Sequence, residues 1–153
     1  MGGYGGNSGR VKDKVYYNTG GRKVKDKNAI AVGEYYINNG KYVAFLQEKD
    51  GQQRADLSVE GVHVEVKGMT STKTNKVANN IQEAFEQVEA DNAAYPKETN
   101  RPGKVVILSK YPDIKTAYKV VYGGYRKAKS KGYVKGDVEL FHNGKMYKIG
   151  GID

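Results

Sequence analysis

Three charged residues stand at a spacing that could do chemistry together: Asp56, Glu65 and Lys67. The stretch Arg54 to Val59 alternates apolar and polar, Glu60-Gly61 reads as a two-residue turn, and Val62 to Lys67 alternates again, which is a hairpin pattern. With that turn, Val59 faces Val62, Leu57 faces Val64 and Asp56 faces Glu65. Leu57, Val59, Val62, Val64 and Val66 then form an apolar face turned to the core. Asp56, Ser58, His63, Glu65 and Lys67 share the other face, because strand side chains alternate with period two. Two carboxylates directly across a strand pair repel and weaken the hairpin. A divalent cation such as Mg²⁺ reverses that sign, since hard cations are held by one or two carboxylates plus water and phosphate oxygens. Lys67 lies on the same face, within reach of an attacking water or of charge developing on phosphorus. The set suits metal-assisted phosphodiester cleavage. The competing reading is a solvent-facing hairpin with an ordinary polar outer side.

Other residues join or compete. Glu34 falls on a helical stripe with Ile30, Gly33 and Ile37, where a carboxylate is costly without a partner. His63, beside Glu65, reads as a solvated surface histidine or as a phosphate contact. His142, next to Asn143-Gly144, reads as a hairpin side chain. The stretch Tyr122 to Lys131 mixes glycine, tyrosine and the bases Arg126, Lys127, Lys129 and Lys131. It could clamp a phosphate backbone by charge and stacking, or be an exposed helix end and loop.

These residues need elements to hold them. The periodicity predicts a helix from Asn28 to Asn39, a strand from Tyr42 to Gln47, a turn at Glu48 to Gly51, and then the hairpin. A polar loop from Gly68 to Thr74 leads into a helix from Asn75 to Asp91. Its stripe is Val77, Ile81, Ala84, Phe85 and Val88. After a connection comes an apolar strand, Lys104 to Ser109, of the kind found in the middle of a sheet. A third helix spans Pro112 to Tyr122, with Gly123-Gly124 as its stop, and the tail ends in a hairpin around Asn143-Gly144. The expected fold is an α/β sandwich on a mixed sheet, in the order αβββαβ with a C-terminal β-hairpin extension. Residues 1–27 read as a glycine-rich and basic flexible lead, and 28–153 as one domain.

Composition narrows the classes. The chain has 153 residues, 38% hydrophobic and 28% charged, enough for a modest core, and no cysteine, so disulfide frameworks and thiolate zinc sites are excluded. No apolar run is long enough to span a membrane. The formal charge is +9, unevenly spread. Residues 1–27 carry 7 basic and 2 acidic groups, 28–100 carry 7 and 11, and 101–153 carry 12 and 4. Basic flanks around an acidic centre suit a polyanion such as nucleic acid, or an acidic protein, though solvated lysines give the same totals.

Arg54-Ala55-Asp56, eight residues, then Glu65-Val66-Lys67, in this element order, resembles the PD-(D/E)xK nuclease superfamily, with Ala55 where the motif has proline. Within it, Phe45 to Gly51, Asp56, Val64 to Lys67 and the helix Asn80-Ile81-Gln82-Glu83-Ala84-Phe85-Glu86-Gln87 resemble the C-terminal tRNase toxin domain of contact-dependent growth inhibition proteins. The resemblance covers residues 28–110 and implies a restriction-endonuclease-like core. It implies Asp56 and Glu65 as ligands of Mg²⁺ or another divalent cation, helped by the Val66 carbonyl. Lys67 becomes the catalytic lysine, Glu34 the first-helix acid and Gln87 the polar residue of the second helix. Sequence leaves open which flank of that helix, Asn80 and Gln87 or Gln82, faces the site. The implied substrate is tRNA, with DNA as the alternative. The implied setting is the C-terminal part of a larger secreted toxin, acting in the target-cell cytoplasm and neutralised by an acidic immunity protein. A non-catalytic nucleic-acid-binding module, or a housekeeping DNA nuclease, are the rival readings.

Overall fold

The computed structural model describes residues 26–46, 54–99 and 101–152. The elements are α1 (Lys27–Asn38), β1 (Val43–Phe45), β2 (Leu57–Val59), β3 (Val62–Met69), α2 (Thr74–Ala94), β4 (Lys104–Ser109), α3 (Ile114–Ser130), β5 (Asp137–His142) and β6 (Lys145–Gly150). The glycine-rich lead up to residue 25 and the expected turn at Glu48 to Gly51 lie outside the described residues.

All six strands form one mixed sheet in sequential order. β1, β2 and β3 are antiparallel, β3, β4 and β5 run parallel, and β6 returns antiparallel to β5. The parallel steps need crossovers, which α2 and α3 supply. Both hairpins turn through residue pairs with positive φ, Glu60 (50°) with Gly61 (80°) and Asn143 (51°) with Gly144 (81°). That is the turn geometry whose twist matches paired strands. The C-terminal hairpin extends this same sheet, as expected: β5 is an interior strand and β6 an edge.

Each face of the sheet has its own core. α1 lies on one face, with Val32, Ile37, Phe45, Leu57, Val64, Val66 and Val106 buried together. α2 and α3 lie on the other, packing Ile81, Phe85 and Val121 over Val105, Ile107, Val138 and Leu140. Asp26 caps α1 by accepting from the Asn28 and Ala29 amides, and Asp113 caps α3 through the Thr116 amide.

Two expectations are corrected. α3 does not stop at Gly123-Gly124 but runs on to Ser130. A Cβ on Gly124 would lie 2.2 Å from Val77 Cγ1, so this glycine is where α2 and α3 touch and ends nothing. Second, the polar side of β3 does not face water along its length: α2 lies across it, leaving His63 fully buried and Met69 buried.

Candidate active site

The hairpin register is as expected from the two-residue turn: Val59 pairs with Val62, Ser58 with His63 and Leu57 with Val64. One step further Asp56 stands across from Glu65. There the backbone ladder gives way to a side chain. The Asp56 carbonyl accepts from Leu46 N–H at 3.0 Å, on the β1 side. Its carboxylate Oδ2 accepts from Val66 N–H at 2.9 Å, on the β3 side. Asp56 thus wedges the mouth of the β2–β3 pair and sets its carboxyl beside that of Glu65.

The electrostatics follow from this crowding. Burial pushes the Glu65 carboxyl up to about 8, and the neighbouring Asp56 charge pushes the same way, with Lys67 opposing. Burial also pushes Asp56 up, to about 6; the Val66 amide and Lys67 hold it back, and Asp26 adds to the rise. Without a cation, the pair holds a proton near neutral pH because two adjacent charges are costly there. Glu65 Oε1 is buried and has no hydrogen-bond partner. Lys67 is half-buried on the same face, two residues along β3.

These donors fit a small hard cation. Two carboxylates side by side, one with an orphaned oxygen, are the oxygen donors that a cation such as Mg²⁺ takes alongside water and phosphate. Among the described residues no group of three or more His, Cys, Asp or Glu is arranged to hold a metal, so protein alone supplies less than a full shell.

The other candidates fall in different places. Glu34 is half-buried in the middle of α1 and is not among the charges that chiefly shift either carboxyl, whereas Asp26, two turns earlier at the helix N-terminus, acts on Asp56. The acid at this helix end whose charge bears on Asp56 is the N-cap, Asp26. Asp26 was legible as an N-cap, since Asp directly before an apolar-periodic run is a helix-start signal, but not as a neighbour of Asp56. Gln87 lies one turn before Asp91 on α2, and Asp91 holds Arg54, two residues before Asp56. That flank, shared by Asn80 and Gln87, turns toward β2.

His63 is not a substrate contact. Its side chain is fully buried, with Nδ1 2.6 Å from Asn92 Oδ1 and 3.1 Å from Asp91 Oδ2, and Nε2 2.9 Å from Glu98 Oε1. Arg54 completes the cluster, 2.6 Å from both Asp91 and Glu98, with its guanidinium 3.7 Å above the Tyr95 ring. The cluster ties the entry to β2 to the end of α2, and so fixes where Asp56 begins. His142 Nδ1 lies 2.7 Å from Ser109 Oγ, across β4 and β5.

Arg126, Lys127 and Lys129 are on the last turns of α3, and Lys131 is its C-cap. Lys129 Nζ donates to the Gly151 carbonyl at 2.8 Å, pinning the chain after β6. This basic end overlies β5 and β6 and does not adjoin the carboxylate pair on β2 and β3.

No family model matches the chain, and no curated protein matches it. Among solved structures, the CdiA-CT/CdiI toxin and immunity complex from Burkholderia pseudomallei is similar, at 13% identity and a TM-score of 0.47, over 84% of this chain and 91% of that one. A likeness of that degree assigns no activity.

Proposed function

We propose that this chain is a metal-dependent nuclease, the toxic tip of a larger secreted protein, with tRNA as its substrate. The observation that carries the nuclease reading is the carboxyl pair: Asp56 and Glu65 side by side, one oxygen orphaned, with Lys67 beside them. The toxin setting, the tRNA preference and an acidic immunity partner rest on the sequence resemblance.

Asp56, Glu65 and the Val66 carbonyl would hold Mg²⁺, which would supply a water acidic enough to attack at neutral pH and would offset phosphate charge. Glu65 would give up its proton to act as a ligand. Lys67 orients the water or meets the charge building on the non-bridging oxygens. Gln87, on the α2 flank shared with Asp91, would hold a water or phosphate oxygen by hydrogen bonding. DNA cleavage remains the alternative within the same chemistry.

The test is incubation of the purified protein with total RNA and with plasmid DNA, in Mg²⁺ and in chelator. Cleavage of tRNA in Mg²⁺ alone, absent in Lys67→Ala, is expected. Undiminished cleavage by Lys67→Ala, or cleavage in chelator, would overturn the reading.

A further inference from the structure

The outer flank of α3 carries a feature the carboxylate site does not use. Tyr118 and Tyr122, 40% and 39% exposed, are two of the four large hydrophobic side chains left in solvent among the described residues. Their rings are stacked, with centroids 6.0 Å apart and planes inclined by 13°. Tyr122 in turn neighbours Tyr125 at 6.1 Å. Lys115, Lys119 and Arg126 are exposed, and with the two tyrosines they follow helical spacing i, i+3, i+4, i+7, i+11, which makes one stripe. α3 contains five basic residues and no acidic one. The stripe lies opposite Gly124, the contact with α2, so it looks away from α2 and from the carboxyl pair.

Stacked aromatic rings open to water, flanked only by positive charge, match the chemistry of single-stranded nucleic acid. Bases lie on ring faces, and the cations track the backbone. An acidic protein would use the charges but has less need of flat, solvent-facing rings. We infer that the Tyr118–Tyr122 stripe of α3 is a second nucleic-acid contact, a stacking platform for unpaired bases. Three to four strand spacings separate β2–β3 from β6, roughly 15–20 Å. A substrate engaging both sites must therefore be several nucleotides longer than the one being cut. This deepens the nuclease reading and rests on it for the class of partner, but its test is made in chelator, where no cleavage is needed.

The experiment measures fluorescence anisotropy of a fluorescein-labelled, unstructured single-stranded RNA of about 20 nucleotides, titrated with the full chain in chelator. Tyr118→Ala/Tyr122→Ala should weaken binding at least about tenfold, since each stacked base contributes substantially. Tyr118→Phe/Tyr122→Phe should restore it. Lys115→Gln/Lys119→Gln/Arg126→Gln should lower the slope of log affinity against log salt by about 2, the single-strand value for three phosphate contacts. The chain has no tryptophan, so base stacking should also quench tyrosine emission directly. Should the double alanine variant melt early, the triple charge variant and the phenylalanine pair carry the same test. Unchanged RNA affinity in folded double alanine protein, or an unchanged salt slope in the triple variant, would overturn the inference. So would poly-glutamate binding with the same tyrosine dependence, which would assign the stripe to an acidic protein. RNA binding that follows the stripe in a protein that cuts nothing would leave this inference standing and sink the nuclease reading.

Discussion

Glu65→Gln removes one charge from the buried pair while keeping its shape, so it isolates the cost of placing two carboxylates together. Burial and Asp56 lift the Glu65 carboxyl from its ordinary 4.5 to about 8. A group whose pKa is raised by folding holds more protons in the folded state. It therefore stabilises the protein fully below its unfolded pKa, and that stability is lost as pH rises through the folded pKa. The window here runs from the ordinary carboxylate range up to about 8. Converted at the usual rate, the rise sets a ceiling of about 5 kcal/mol. Water reaches part of Glu65, and Asp56 shares the penalty, so about 2 kcal/mol is the expected effect. In chelator, wild type should lose about 2 kcal/mol relative to Glu65→Gln between the ordinary carboxylate range and about pH 8. Comparing the two proteins cancels the pH dependence of the rest of the chain. Mg²⁺ should restore the loss in wild type only, with release of about one proton per cation near neutral pH. Urea unfolding at several pH values, with and without Mg²⁺, and calorimetry in buffers of different ionisation heat would measure both. Equal pH slopes for the two proteins, or a Glu65→Gln protein less stable than wild type at the alkaline end, would refute the reasoning.

The remaining predictions separate the site from its supports. Lys67→Ala should abolish cleavage yet bind Mg²⁺ as well as wild type or slightly better, because a nearby positive charge is gone; calorimetric titration against a cleavage assay checks this. Asp56→Ala should lose both cation binding and cleavage, since it removes a ligand and the wedge on Val66 N–H, and the same titration reads it. His63→Ala should cost about 3 kcal/mol by leaving Asp91 buried and short of a partner, seen in urea unfolding. At temperatures where the variant stays folded, its Mg²⁺ affinity should be unchanged. Gly124→Ala should destabilise by about 1–3 kcal/mol, because its Cβ runs into Val77, measured by thermal melting.

The carboxyl pair was legible because two local rules fix it. A two-residue turn sets the register, and period-two alternation then puts Asp56 and Glu65 on one side. Neither rule needs knowledge of the rest of the fold. What failed needed tertiary information. His63 shares the parity of Glu65, so alternation alone made it a surface group; the end of α2 settles across that part of β3 and buries it. Gly123-Gly124 has the composition of a helix stop, and only the approach of Val77 explains why a helix would place a glycine there. The bases from Arg126 to Lys131 were readable as a charged cluster, but their position over β5 and β6 depends on the second parallel crossover. Glu34 was singled out as a charge on an apolar stripe. The actual stripe of α1 is Ala29, Val32, Gly33, Tyr36 and Ile37, which leaves Glu34 at its margin and brings Asp26 toward Asp56.

The polar groups buried elsewhere in this fold are matched with care. Lys104 meets Glu139 at 3.3 Å, with the Tyr36 hydroxyl donating to the same carboxylate at 3.1 Å. His63, Arg54, Asp91 and Glu98 form a cluster in which each polar side chain meets another. Against that background the β2–β3 mouth is an exception. It sets two like charges together and leaves Glu65 Oε1 without a partner. A sheet under selection for stability alone would place a lysine or a threonine opposite Glu65, as cross-strand pairing favours. Arg54 stands two residues before Asp56, and its cluster clamps the strand that carries Asp56, so the repulsion is held in place instead of relaxing by strand separation. A local conflict retained within an otherwise consistent structure is the pattern expected where a ligand completes the balance. For two carboxylates beside a lysine, the divalent cation proposed above, with a phosphate attached to it, is a ligand that would do so.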